Sequence, residues 1–231
     1  MLGRSALLAF AGLAMWGAQL TAPPALAACR DGPGPGVDWS ECSKSRRMLA
    51  RENLSGALLS KADLSGTNLT GANLQEANLS KANITYATLN RANLAGADLS
   101  GVIGVRTRLT EAAMPGATLE KAEFLRANFG GADLSGADLS SAQLVRSDFR
   151  KANLTGSNLV YANLARADLR DAQLDGADLT TAYMLRTRLE GLDLSSAKGL
   201  DAQQLDHACG DEKTKLPPDI PTPKAWPCNV E

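Results

Sequence analysis

The sequence has few of the residues that usually carry out chemistry. It contains a single histidine, His207, and aromatic residues make up only 4% of its 231 residues. A histidine-based zinc site or a Ser-His dyad is therefore not predicted. The formal net charge is −1, and nucleic-acid binding requires a basic surface and aromatic stacking platforms. We expect no enzyme, no metal, no cofactor and no nucleic-acid partner.

Other signatures of catalysis are missing as well. The chain has no phosphate-binding loop and no nucleophile elbow, because glycines such as Gly56, Gly96 and Gly136 recur at one fixed place in a repeat. Asp168 and Asp171 could be interpreted as paired carboxylates for glycoside cleavage, but a repeat rich in Asp produces such pairs by chance. His207 lies next to Cys209 and is interpreted as a surface residue.

What the sequence does have is a large apolar residue at almost every fifth position. From Leu54 to Leu194 there are 29 such positions, and 22 of them hold Leu. The remaining seven are Ile84, Gly104, Met114, Phe124, Phe129, Phe149 and Met184. Ala stands two residues earlier in 21 of the 29 repeats, usually with Asn or Asp in between. This spacing fits neither a helix nor a single strand, so it predicts a coil that turns at each repeat and buries Leu and Ala in one column.

Over residues 49–198 this tandem Ala-Asp/Asn-Leu-x-x motif resembles the pentapeptide-repeat family. The resemblance implies an all-β fold, a right-handed quadrilateral parallel β-helix with about twenty residues per coil. About seven coils at roughly 4.8 Å each would make a rod on the order of 35 Å long. Its core would include Leu134, Leu154, Phe124, Phe129 and Phe149. Phe129 and Phe149 would stack one coil apart, and replacing either by Ala should cost roughly 3–5 kcal/mol.

A second, longer period supports the four-sided shape from within the sequence. Five segments that begin with an apolar residue followed by Arg recur every twenty residues, whereas a three-sided coil would repeat every fifteen. Their Arg residues are Arg106, Arg126, Arg146, Arg166 and Arg186, and the apolar residues before them are Val105, Leu125, Val145, Ala165 and Leu185. These two columns predict an outward-facing apolar stripe edged with positive charge, which is typical of a protein contact.

Three alternatives for this stripe stay open at the level of sequence. The Pro-rich tail could fold back and cover it, or the stripe could be a self-association face of a homodimer. The Arg column could also bind an acidic polymer or a phosphate-bearing surface.

The remaining segments predict export and capped ends. Residues 1–27 have the charge, length and Ala25-Leu26-Ala27 ending of a secretory signal peptide. Residues 28–48 are interpreted as an N-terminal cap, because open β-helix ends expose strand edges. Residues 199–231 are interpreted as a C-terminal cap, in which Asp201 starts a short helix, Gly210 stops it and a Pro-rich tail follows.

The four cysteines predict the compartment. Cys29 and Cys42 precede the repeats, and Cys209 and Cys228 follow them, which favours two disulfides in a periplasmic or secreted protein. The alternative is that Leu26-Ala27-Ala28-Cys29 acts as a lipobox. A lipidated Cys29 would anchor the protein to a membrane and would leave Cys42 without a partner.

Two functions follow from these observations. The resemblance implies DNA mimicry as one activity, in which an acidic rod inhibits or protects DNA gyrase. Residues 47–198, however, carry seventeen Lys and Arg against sixteen Asp and Glu, so they lack the negative field that mimicry requires. We therefore favour an exported, non-catalytic scaffold that presents an interaction face to a protein or cell-envelope component.

The departures from the repeat carry their own expectations. Gly104 stands where Leu is expected and Pro115 follows shortly after, so we expect residues 101–117 to bulge or kink. At the Ala position, five small hydroxyl side chains should fit if they are hydrogen-bonded. These are Thr67, Thr107, Ser147, Ser157 and Thr187.

Overall fold

The computed structural model describes residues 29–227 and is a four-sided parallel β-helix. In each coil, every side contributes one bridge residue, and bridge partners lie twenty residues apart in sequence. On one side, eight successive bridges join Asp38 to Lys198. The described residues contain no continuous β-strand, only these isolated bridges. The predicted signal peptide and Cys228 lie outside the described residues.

The Asn or Asp before each core residue explains how the chain turns so often. Its side-chain oxygen accepts a hydrogen bond from the backbone N–H two residues later, as Asn153 Oδ1 does from Thr155 N at 3.1 Å. The side-chain amide of an Asn also donates to the preceding coil, as Asn158 Nδ2 does to Asp138 Oδ1 at 3.0 Å. Such local bonds favour turns over longer strands. The Asx column therefore stabilises both each turn and the stacking of coils.

The interior is the column of Leu, Ala and Phe side chains that the five-residue period requires. Leu134, Leu154 and Phe124 are fully buried. The rings of Phe129 and Phe149 stack with centroids 4.7 Å apart and an interplanar angle of 2°. Phe124 meets Phe129 edge to face at 5.1 Å. One aromatic cluster thus fills the middle of the rod, where such contacts add to the burial of apolar surface.

The expected bulge over residues 101–117 is wrong. The bridges Asn83 to Ile103 and Ile103 to Glu123 keep the twenty-residue register through this segment. Gly104 does not interrupt the core, because the ring of Phe124 in the next coil occupies the space that a side chain at 104 would take. A small residue and a large one in adjacent coils therefore compensate each other in volume.

The hydroxyl residues at the Ala position are buried, and four of the five are hydrogen-bonded. Each of the four donates to the carbonyl of a residue 23 positions earlier. Thr107 Oγ1, for example, donates to Ile84 O at 2.8 Å. The exception is Ser157, whose Oγ is buried without a partner among the described residues.

The N-terminal end is held by a disulfide and a buried lysine. Cys29 and Cys42 are bonded, with Cα atoms 5.5 Å apart. Lys44 occupies an inward position, packs over the Trp39 ring and donates to Cys29 O at 2.8 Å. Desolvation lowers the pKa of Lys44, and the charge of nearby Arg47 lowers it further. The bridged ladder begins at Asp38, so the first coil is built from the segment assigned above to the N-terminal cap.

The C-terminal end carries the one α-helix in the described part of the chain, α1, Ala202–Asp206. Asp201 and Gln204 form a capping box at its start. Gln204 Nε2 also donates to the carbonyls of Leu179 and Ala182, at 2.8 and 3.0 Å. Leu205 is buried in the main core cluster. The helix therefore contributes both a polar and an apolar contact to the last coil.

The prediction that Gly210 ends this helix is wrong. The helix ends at Asp206, because Cys209 already rejoins the ladder opposite Arg188. Gly210 instead gives room to Trp226, whose ring occupies the position of a side chain at 210. Trp226 Nε1 donates to Ala208 O at 2.8 Å. Cys209 is disulfide-bonded, and its predicted partner, Cys228, lies outside the described residues.

Candidate interaction surface

One side of the rod gathers the residues that the sequence assigned to an interaction face. We call it the arginine side. Its inward-facing residues are every twentieth residue from Leu64 to Met184. The side also includes the corner residues that stand two positions after each of them, such as Arg106 and Arg126. The five arginines occupy successive coils at this corner and are all exposed. Their spacing along the rod is set by the strand separation, about 4.8 Å.

None of these five guanidinium groups forms an ion pair with the described residues, and the same holds for Arg46, Arg47, Arg51 and Arg108 elsewhere on the rod. Elsewhere, Arg91 pairs with Glu111 at 2.7 Å and Arg170 pairs with Asp168 at 2.6 Å. Arg106 does lie 5.9 Å from the centre of the Tyr86 ring. The corner therefore presents a row of cations to solvent without neutralising partners.

The backbone at this corner makes the choice of arginine more informative. Arg106, Arg126, Arg146, Arg166 and Arg186 have φ between 54° and 59°, in the left-handed region. Side chains other than glycine and, at times, Asn or Asp are disfavoured there by roughly 1–2 kcal/mol. At the equivalent corner on the opposite side, the chain places Gly96, Gly116, Gly136, Gly156 and Gly176, with φ from 62° to 66°. Arginine is thus maintained at a conformation that glycine adopts more easily.

Exposed apolar side chains concentrate on the same side. Ile103 and Leu125 are 42% and 37% exposed, and Tyr183 is 51% exposed. Val105, Val145 and Leu185 are half-buried, while Ala165 is nearly covered at 9%. Exposure is therefore uneven along this column, with Leu125 as its most exposed member and Ile103 and Tyr183 on the neighbouring outward column.

The tail leaves the middle of this stripe uncovered within the described residues. Lys215 bridges to Asp193, and Trp226 packs on Gly210, so the tail contacts the last coil. Leu125 and Arg126 remain exposed. The alternative in which the tail hides the stripe is not supported by this arrangement.

The corner on the other edge of the arginine side carries three lysines, which the sequence did not lead us to predict. Lys61, Lys81 and Lys121 are exposed at the corner that precedes this side. Tyr161 follows on the same corner and is 67% exposed. All three tyrosines of the chain therefore lie on this side or at its two corners. The twenty-residue period that revealed the Arg column could have revealed these residues too.

On the next side around the rod, two arginines are paired with carboxylates. Arg150 makes a bidentate contact with Asp148, through hydrogen bonds of 3.0 and 2.7 Å, and Arg170 does the same with Asp168. Partial burial alone would raise the pKa of Asp168, but the hydrogen bonds and charge of Arg170 outweigh it, and the net shift is downward. These charges are satisfied internally, and the carboxylate of Asp168 is held in an ion pair with Arg170.

Other candidate sites are weaker. A surface depression of about 700 Å³ lies at the N-terminal end beside Trp39, Lys44 and Met48. Among residues 29–227, no group of three or more His, Cys, Asp or Glu could hold a metal ion. The same part of the chain has no helix with the length and hydrophobicity needed to cross a membrane. His207 is exposed, and its carbonyl accepts a hydrogen bond from Arg186 N.

Comparison with known families and structures agrees with this architecture. A family model described as pentapeptide repeats matches eight copies, in overlapping segments that cover residues 49–140 and 147–198. The chain belongs to the pentapeptide repeat family. Its members fold as right-handed quadrilateral β-helices. Among curated proteins, no sequence matches significantly.

Several solved structures of the pentapeptide repeat family are similar to this chain. HetL, involved in heterocyst differentiation regulation in Nostoc sp. strain PCC 7120, is 31% identical, with 76% of this chain and 90% of HetL covered and a TM-score of 0.47. A protein of the Arabidopsis thaliana thylakoid lumen is 37% identical over 40% of this chain and 68% of its own, with a TM-score of 0.34. QnrB1, a plasmid-mediated fluoroquinolone resistance protein, is 17% identical over 75% and 93%, with a TM-score of 0.39.

Proposed function

We propose that this pentapeptide repeat protein is an exported, non-catalytic scaffold that uses the arginine side to bind a partner protein in the cell envelope or outside the cell. The observation that carries the proposal is the row of five guanidinium groups without ion-pair partners, next to exposed Leu125 and Ile103. Arg, Tyr and apolar side chains together are the composition favoured at protein interfaces.

Export is supported by the cysteines. The Cys29–Cys42 disulfide and the disulfide-bonded Cys209 are stable in an oxidising compartment. A Cys29 sulfur that is paired with Cys42 cannot also carry a lipid. We therefore propose a periplasmic or secreted protein without a lipid anchor. Mass spectrometry of the mature N-terminus tests this: the expected product begins near Ala28 and lacks a lipid mass.

The binding function is tested by placing a photo-crosslinking amino acid on the surface in cells of the native host. We expect a crosslinked partner when the probe replaces Leu125. The matched control is the same probe at Ser135, which occupies the same repeat position on the opposite side and is half-buried. Equal crosslinking at both positions, or none at Leu125, would contradict the proposal.

The alternative, a DNA-mimic inhibitor or protector of DNA gyrase, requires a continuous acidic surface. The likeness to QnrB1, at 17% identity, supports only a shared fold. A gyrase supercoiling assay with the mature protein distinguishes the two functions, and we expect supercoiling to be unchanged.

A further inference from the structure

We infer that the partner of the arginine side is an acidic protein surface whose carboxylates repeat at β-strand spacing. This inference rests on the proposed function and specifies the chemistry of its partner. It is carried by the distribution of charge around the rod, by the axial spacing of the arginines and by the shape of the apolar stripe between the two corners.

The charge distribution requires an anionic partner. The arginine side is bordered by Arg106 to Arg186 at one corner, whereas the other corner carries Lys61 and Lys81 in earlier coils and only Lys121 in the coils of the five arginines. Lys61 and Lys121 pair with Glu41 and Glu120, whereas no ion pair of Lys81 or of the five arginines occurs among the described residues. Two antiparallel copies facing each other through this side would oppose their arginine corners, and like charges repel. An antiparallel homodimer on this face is therefore disfavoured.

The spacing favours a carboxylate ladder. The guanidinium groups stand on successive coils, about 4.8 Å apart, which is also the separation of neighbouring strands in any β-sheet. A partner with one Asp or Glu on each of several adjacent strands could match them in register. Arginine binds carboxylates through two parallel hydrogen bonds, which adds geometric specificity to charge attraction.

The apolar residues favour a protein over a lipid surface. Val105 and Val145 are half-buried, and Leu125 is only 37% exposed, so these side chains lie flat between the corners. Membrane-surface elements instead insert a continuous apolar face about 5–10 Å into the lipid. The exposed carboxylate of Glu123 also lies on this side, where an anionic membrane would repel it. A flat protein surface can pack against the stripe and place a cation opposite Glu123.

The direct test measures binding of mature protein to poly-L-glutamate at low ionic strength, with phosphatidylglycerol vesicles and inorganic polyphosphate as competing probes. The test variant is Arg126→Glu with Arg146→Glu. The control is Arg51→Glu with Lys151→Glu, which makes the same charge change at exposed positions with the same left-handed backbone on another corner.

We expect binding to poly-L-glutamate to weaken about tenfold or more in the test variant and less than about twofold in the control. Equal weakening in both variants would overturn the inference, because it would show a response to net charge alone. Preferential binding of the vesicles or of polyphosphate would overturn it too. Circular dichroism of both variants confirms that each remains folded.

The crosslinking experiment separates this inference from the proposed function. If the Leu125 probe captures a protein and Arg126→Glu with Arg146→Glu abolishes capture, both stand. If capture persists in that variant, the binding function stands and the acidic-partner inference fails. If Leu125 captures nothing in the unaltered protein, the proposed function itself fails.

Discussion

The arginine side and the side opposite it have the same backbone conformation and differ in most of their exposed side chains. Both corners hold the chain in the left-handed region, with φ from 54° to 59° at the arginines and from 62° to 66° at the five glycines. On the opposite side the outward positions and the glycine corner contain no Lys or Arg between Asn53 and Ser196, and they include Glu76, Asp133, Asp175 and Asp193. The corner that precedes this side does carry Arg91 and Lys151. A repeat that fixes the interior therefore leaves each side free to carry its own charge.

The two corners differ in how closely their residues match the backbone conformation. Glycine is the residue of lowest conformational cost at these corners, and one corner uses it in five consecutive coils. The other corner keeps arginine in five consecutive coils without internal ion pairs. Twenty non-glycine residues around the rod share this left-handed conformation, so the five arginines are distinguished by their unbroken row of like charge and not by their backbone.

The largest expected effect contrasts the interiors of the two sides. Phe124→Ala on the arginine side should destabilise the protein by about 3–5 kcal/mol, because Gly104 offers no side chain to fill the cavity. Leu134→Ala on the opposite side, where Met114 and Leu154 flank the site, should cost about 2–5 kcal/mol. Urea unfolding of the two variants measures both. A cost below about 2 kcal/mol for either variant would contradict the burial of these side chains in the core.

The second prediction concerns the paired volumes of Gly104 and Phe124. Gly104→Leu should destabilise by about 1–3 kcal/mol, because its side chain would overlap the Phe124 ring. Adding Phe124→Leu should restore much of the loss by recreating the Leu column found at the equivalent positions of the opposite side. Thermal unfolding of the single and double variants gives the coupling energy, and simple additivity would exclude this compensation.

The third prediction exchanges the two corners. Gly156→Ala should cost up to about 1 kcal/mol, because the positive-φ penalty of roughly 1–2 kcal/mol is partly offset by the lower entropy of the unfolded chain, and a Cβ there would meet no atom within 4 Å. Arg146→Gly should stabilise the fold by up to about 1 kcal/mol for the same two reasons in reverse, while weakening partner binding. Denaturant midpoints together with the poly-L-glutamate assay test this. A destabilised Arg146→Gly would mean that arginine has a structural role at this corner.

The smallest expected effect depends on pH and concerns Asp193, at the C-terminal end of the side opposite the arginine side. Hydrogen bonds from Lys215 and Ser195 lower the pKa of Asp193 to about 2. Because the folded pKa is depressed, this stabilisation is present above the unfolded pKa of about 3.9 and is lost as the pH falls toward 2. Tail docking, followed by Trp226 fluorescence in a Trp39→Phe background, should weaken over this range. Asp193→Asn should remove that part of the pH dependence, whereas Asp138→Asn should leave it in place.

The sequence predicted the rod and its sides better than its ends and irregularities. The five-residue period identified Leu134, Leu154 and the stacked Phe129 and Phe149, because repeated burial leaves a repeated pattern. The bulge at residues 101–117 was a wrong prediction, since a Gly104 in sequence does not reveal that Phe124, twenty residues later, fills its space. The end of α1 was placed too late, because the return of Cys209 to the ladder is a tertiary contact.

By itself, the sequence determined the period, the four-sided coil and the alignment of the arginines, because a strict repeat converts positions along the chain directly into positions around the rod. Only the tertiary structure decided which charges are neutralised. Arg150 and Arg170 find carboxylates two residues before them, while the corner arginines find none among the described residues. Ion pairing depends on side-chain direction and on neighbours in adjacent coils, and composition does not specify these.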